Sequence, residues 1–223
     1  PHSPESDVNT PGKDVVTDES KYVEAGAMGF GTSDNARYGI DAKGNAYIFS
    51  SDDQPITINV GGAGSGEAWN TRLGSEDVKT ITFATTTKID TSETGGNIAA
   101  SIFGNKTNIS FLDVTNVDIA GVKDLGNMFG GDYNPSDQTK GLQYLEGLKA
   151  WNLKDVAEST DADPSASGLN HLFENASPVL KSIPDIESWK LSDTMKENSK
   201  GMFGGMKYTE LPSWSTQDMK EMA

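Results

Sequence analysis

The residues of this chain that could do chemistry are few in kind. It has no cysteine and two histidines, so disulfides, thiolate metal sites and cysteine nucleophiles are excluded. His2 lies in a leader rich in Pro, Ser and Thr, and His171 stands beside Leu172-Phe173. With no Gly-x-Ser-x-Gly elbow to serve, His171 reads as structural or surface. Gly61-Gly62-Ala63-Gly64-Ser65-Gly66 follows a strand-like run, as a phosphate-binding loop would. Glu67 stands where the third glycine belongs, and no Gly-Lys-Ser/Thr follows, so the run reads as a turn. Asp161-x-Asp163-x-Ser165 begins like a calcium loop, but Ala166 and Leu172 replace the turn glycine and the bidentate glutamate. No cofactor is expected. Calcium is the one candidate left open there, and a solvated acidic loop is the better reading. Asp52-Asp53 and Asp132 add carboxylates without ligand spacing. Among 33 acidic residues, carboxylate pairs of the glycosidase kind arise by chance. No catalytic residue is assigned, and an enzyme is the least favoured class.

Composition narrows the partners. The net charge is −15, from 18 basic and 33 acidic residues, and the only arginines are Arg37 and Arg72. Such a field repels phosphate backbones and anionic lipid headgroups, so nucleic acid is not an expected partner. No apolar run approaches the ~20 residues of a spanning helix, so membrane insertion is not expected either. With 35% hydrophobic residues and 24 glycines, a thin core with many turns is expected. The start at Pro1-His2-Ser3-Pro4 fits a trimmed chain or a mature exported one equally well.

Three segments follow from the patterning. Residues 1–20 read as a flexible leader. Residues 21–100 read as a β-rich N-terminal cap module, with strands at Ala46-Tyr47-Ile48-Phe49, Ile56 to Val60 and Val78 to Phe83; the last two alternate as if one face were wet. Residues 101–223 repeat. Phe111-x-x-Val114-x-x-Val117-x-Ile119 recurs as Leu145-x-x-Leu148-x-x-Trp151-x-Leu153, as Ile183-x-x-Ile186-x-x-Trp189-x-Leu191 and, cut short, as Leu211-x-x-Trp214. Each unit ends in an apolar pair: Ile102-Phe103, Met128-Phe129, Leu172-Phe173 and Met202-Phe203. Val122, Leu125, Met128 and Phe129 are spaced as one face of a short helix. The tryptophans could stack sugars, but their fixed place in the unit reads as core spine. Met128, Met195, Met202, Met206, Met219 and Met222 read as repeat packing rather than a soft-metal site. Polar insertions at 130–141 and 157–168 interrupt the units, and the array stops at Ala223 inside a repeat.

The run Val117-Asp118-Ile119-Ala120-Gly121-Val122-Lys123-Asp124-Leu125-Gly126-Asn127-Met128-Phe129 resembles the BspA-like leucine-rich-repeat surface proteins, whose repeats read Trp-Asp-Thr-Ser-Asn-Val-Thr-Asp-Met-x-x-Met-Phe. Val117 stands in place of the tryptophan. Trp214-Ser215-Thr216-Gln217-Asp218-Met219-Lys220-Glu221-Met222 is similar, and residues 30–222 carry the likeness as a whole. The resemblance implies a secreted protein attached to the cell wall of a Gram-positive-type bacterium through a region outside this chain. The expected fold is α/β: a right-handed leucine-rich-repeat-like solenoid of about four to five units behind the β-rich cap. The expected function is a non-catalytic adhesin that binds a host extracellular or neighbouring-cell protein or glycan through the repeat face and the inserted loops. Asp132, Tyr133, Asn134, Asp137, Asp161 and Asp163 are the candidate ligand-binding residues, because repeat packing does not require those loops. A stalk that only spaces a distal adhesive domain from the wall is the rival reading.

Overall fold

The computed structural model describes residues 18–59, 67–91, 103, 108–126, 128–130, 141–156, 168–174, 186–191, 193, 195, 199 and 201–204. The chain is mixed α/β, with strands mostly in parallel ladders and little helix. Strands β1 (Glu24–Ala27), β2 (Ala36–Ile40) and β3 (Asn45–Ser50) form an antiparallel meander. The β2–β3 turn follows from its residues: Asp41 Oδ1 accepts from the backbone N–H groups of Lys43 and Asn45, and Gly44 takes φ +86°. From β3 onward, pairing is parallel. β5 (Thr80–Phe83), β7 (Phe111–Asp113) and β9 (Tyr144–Glu146) extend the sheet in the order β1-β2-β3-β5-β7-β9. A second sheet stacks β4 (Ile56–Asn59), β6 (Thr87–Asp90) and β8 (Val117–Asp118). A short α-helix, α1, spans Glu67–Asn70.

Three passes, β3–β4, β5–β6 and β7–β8, thus each run through a strand of the first sheet, a corner, and a strand of the second. Successive passes place like on like: Ala46, Ile81, Leu112 and Leu145 are register partners along the first sheet, and all are buried. In the second, Ile58 pairs with Ile89. A third column is aromatic. The rings of Phe103, Phe129, Phe173 and Phe203 stack at centroid spacings of 5.5, 5.5 and 5.7 Å. Backbone bonds hold that side in step: Phe103, Phe129 and Phe173 N–H groups donate to the carbonyls of Met128, Leu172 and Met202.

Three sequence expectations are corrected here. Val122 to Phe129 is not a helix. Val122 N–H donates to Ile119 O and Met128 N–H to Leu125 O, while Leu125 and Phe129 donate to Gly168 and Leu172 of the next pass. The three-residue spacing therefore records successive one-bond corners, which mimic the period of a helix face without continuing into one. The alignment of Phe111 with Leu145 is also displaced by one residue, since the ladder pairs Phe111 with Tyr144 and Leu112 with Leu145. Gly147 absorbs the extra residue at φ +99°, where a Cβ would lie 2.3 Å from Thr115 N. Finally, β5 has no wet face: Thr80 and Thr82 are both buried, Thr80 Oγ1 donating to Asn45 Oδ1. The change from antiparallel to parallel pairing falls at β3, which pairs antiparallel with β2 and parallel with β5. The segment expected as a cap and the segment expected as the array consequently share one sheet.

Two ties anchor the first passes. Asn108 Nδ2 donates to the carbonyls of Leu73, Ser75 and Val78. Arg72 forks onto Asp77 and reaches Glu24 Oε2, which also accepts from the Tyr38 hydroxyl. Hydrogen bonds from Arg72 are the main cause that lowers the carboxyl pKa of both Asp77 and Glu24.

Phe129 lies mid-column and is 1% exposed. Phe129→Ala is expected to destabilise the fold by about 3–5 kcal/mol in urea unfolding; a loss below about 1 kcal/mol would mean the column does not bear the packing. The lowered pKa values of Glu24 and Asp77 predict stability that is complete above the unfolded carboxylate range near pH ~4 and lost as pH falls through the folded values. Arg72→Met should therefore lower Tm at neutral pH, with the gap to the parent closing as pH falls below the ordinary carboxylate range and Glu24 and Asp77 protonate. A gap that stays constant with pH would refute the coupling.

Candidate binding surface

The corners between the two sheets carry a repeated polar device. Trp151 Nε1 donates to Val114 O at 3.0 Å, and Trp189 Nε1 donates to Leu148 O at 2.8 Å. Val114 and Leu148 are equivalent, for each accepts the turn bond that closes its own corner, from Val117 N and Trp151 N respectively. Each of these carbonyls thus takes a second donor from the pass that follows. In the pass where Val117 replaces tryptophan, Asn116 does the work: its Nδ2 donates to Phe83 O at 2.9 Å. The substitution has a packing cause. Trp151 lies against Phe129 at 6.0 Å, but the corresponding space beside Phe103 already holds Phe83 and Trp69. A third large ring there would overfill the core.

Outside these corners lies an open groove of about 400 Å³. Three successive passes build it: Thr86 from the first, Thr115 to Ala120 from the second, and Ala150, Trp151, Asn152 and Lys154 from the third. Asp118 follows Val117 as Asn152 follows Trp151, so the two occupy like positions on adjacent passes. Both are exposed and held by turns of their own: Asp118 Oδ1 accepts from Ala120 N at 2.9 Å, and Asn152 Oδ1 from Lys154 N at 3.0 Å. Those turns fix both side chains while leaving the second carboxylate oxygen of Asp118 and the amide nitrogen of Asn152 available to a ligand. The Lys154 side chain, two residues beyond Asn152, is exposed.

The residues singled out from sequence fare differently. Asp132, Tyr133, Asn134, Asp137, Asp161 and Asp163 lie outside the described residues, as do Gly61 to Gly66 and Trp214. Trp151 and Trp189 are buried in equivalent roles, as the spine reading expects, and so are Met128, Met195 and Met202 in the core. His171 contacts Glu174 and takes φ +59°, the same left-handed value as Gly201, over which its ring lies. Asp52 organises the β3–β4 corner. Its Oδ1 accepts from Asn35, Ser50 and Gln54, and the Asn35 bond is the largest cause of its lowered pKa. Among the described residues, no three His, Asp or Glu side chains gather as metal ligands would, and no helix is long and apolar enough to cross a membrane. The groove was missed by the sequence reading. Its one legible signal was the polar residue after Val117 and again after Trp151.

No family model matches the chain, and neither a curated protein nor a solved structure does.

Trp151→Phe keeps an aromatic ring but loses the Nε1 donor and part of the buried volume, leaving Val114 O with only its own turn bond from Val117 N; a loss of about 1–3 kcal/mol is expected in urea unfolding. Asn116→Ala should cost less, because Asn116 is exposed and water can reach its site. Equal losses, or none, would disprove the shared capping role.

Proposed function

We propose that the chain is a non-catalytic adhesive array: a leucine-rich-repeat-like, right-handed solenoid displayed outside the cell, which binds a host or neighbouring-cell protein or glycan. The observation that carries this reading is the recurrence of one corner, with Trp151 and Trp189 each closing the carbonyl left by the preceding pass. A unit whose buried tryptophan N–H finds its acceptor on the neighbouring pass must be stacked, and stacking turns a short repeat into a long outer face. The phenylalanine column confines the packing requirement to the inside, so outward positions such as Asp118 and Asn152 are free to be chosen for binding. A spacer has no need of a preformed concavity on that face, which favours adhesion over a stalk. Secretion and attachment to a Gram-positive-type wall belong to the same proposal and rest on the BspA-like signature.

The test is a binding screen with the 223-residue chain, immobilised on beads and offered extracellular-matrix proteins and arrayed glycans. Saturable binding to at least one class is expected. Failure to bind any of them, with the chain shown to be folded by circular dichroism, would overturn the adhesive reading in favour of the stalk.

A further inference from the structure

The corner groove has the makings of a specific subsite, and we infer that it takes a neutral sugar: one or two hexopyranose units of a glycan chain. This inference rests on the adhesive reading and gives it a location and a ligand class. Volume is the first argument. About 400 Å³ falls at the small-molecule end of binding cavities and is too confined for an extended peptide lying along several passes.

The polar pattern is the second argument. A pyranose presents adjacent hydroxyls, each able to donate and accept, and it is held best by groups that offer both functions at fixed spacing. Here a carboxylate oxygen of Asp118 can accept two hydroxyl protons. The Asn152 amide nitrogen, which lines the same groove from the next pass, can donate to the neighbouring oxygen, and the Lys154 ammonium can donate to the next. The backbone turns that clamp Asp118 and Asn152 hold these groups before any ligand arrives, which lowers the ordering cost of binding. The lining is the third argument: Val117, Ile119 and Trp151 border the groove but are buried, so what a ligand meets is mainly polar, as suits the hydroxyls of a sugar.

Charge favours a neutral ligand. The chain carries −15 overall, which opposes sialylated or sulfated chains at long range. Asp118 and Lys154 offset one another locally, so the groove has no net charge to attract a basic peptide.

The experiment offers the 223-residue chain to an array of neutral oligosaccharides ending in glucose, galactose, mannose or N-acetylhexosamine, and confirms hits by titration calorimetry with the free disaccharide. Three variants follow. Asn152→Asp keeps the turn acceptor but replaces the donating amide, Asp118→Asn keeps its turn and exchanges acceptor for donor, and Ala150→Trp blocks the groove from an exposed lining position. Each is expected to weaken binding about tenfold or more, the scale of one or two lost hydrogen bonds, with Tm unchanged. Neutral-glycan binding that survives all three within about twofold would overturn the groove while leaving the adhesive reading in place. Binding to proteins or acidic glycans alone would overturn the ligand class in the same way. Binding to nothing in either screen would defeat the adhesive reading itself.

Discussion

The fold depends on one constraint: no pass of this chain can satisfy its own backbone. At the corner between the two sheets, the carbonyls of Phe83, Val114 and Leu148 each take a side-chain donor from the pass that follows. On the aromatic side, backbone N–H groups of one pass find carbonyls on the next. An unpaired buried carbonyl costs about 1–3 kcal/mol, so removing one pass strands several polar groups as well as exposing apolar surface. Hydrogen bonding therefore sets the alignment of the stack, while burial of the apolar core, the Phe103–Phe203 column included, supplies the main favourable free energy.

That division of labour explains why the Trp-to-Val replacement at 117 is tolerated. A tryptophan at this position does two jobs, filling the space beside a column phenylalanine and capping a carbonyl. In the first of these corners the filling is done by Phe83 and Trp69, and the capping by Asn116. The two jobs are separable because the inward volume and the outward donor lie on opposite sides of the same backbone turn.

The same geometry leaves an outer surface under little structural demand. Asp118 and Asn152 are fixed by short turns that need only an acceptor at each position, so their remaining polar atoms serve no packing purpose. A stacked fold of this kind can vary its outer residues pass by pass without disturbing its column. The acidic field of the whole chain acts over longer distances and biases which partners reach that surface.

Much of the interior was legible in the linear chain. The spacing of Val114, Val117, Leu148, Trp151, Ile186 and Trp189, and the recurring pairs ending in Phe103, Phe129, Phe173 and Phe203, identify which side chains are buried and that they recur together. Apolar recurrence survives in sequence because each buried position must be apolar whatever the backbone does between. Three matters were decided only by tertiary structure. The three-residue period became corners rather than a helix, because Leu125 and Phe129 find their carbonyls on the next pass and not four residues back. The ladder register moved by one residue because Gly147 can bulge at positive φ. The groove arose because Asp118 and Asn152, 34 positions apart in the chain, are brought to one groove by the stacking of successive passes. Local propensity says nothing about any of these, since each is settled by a partner supplied from a different pass.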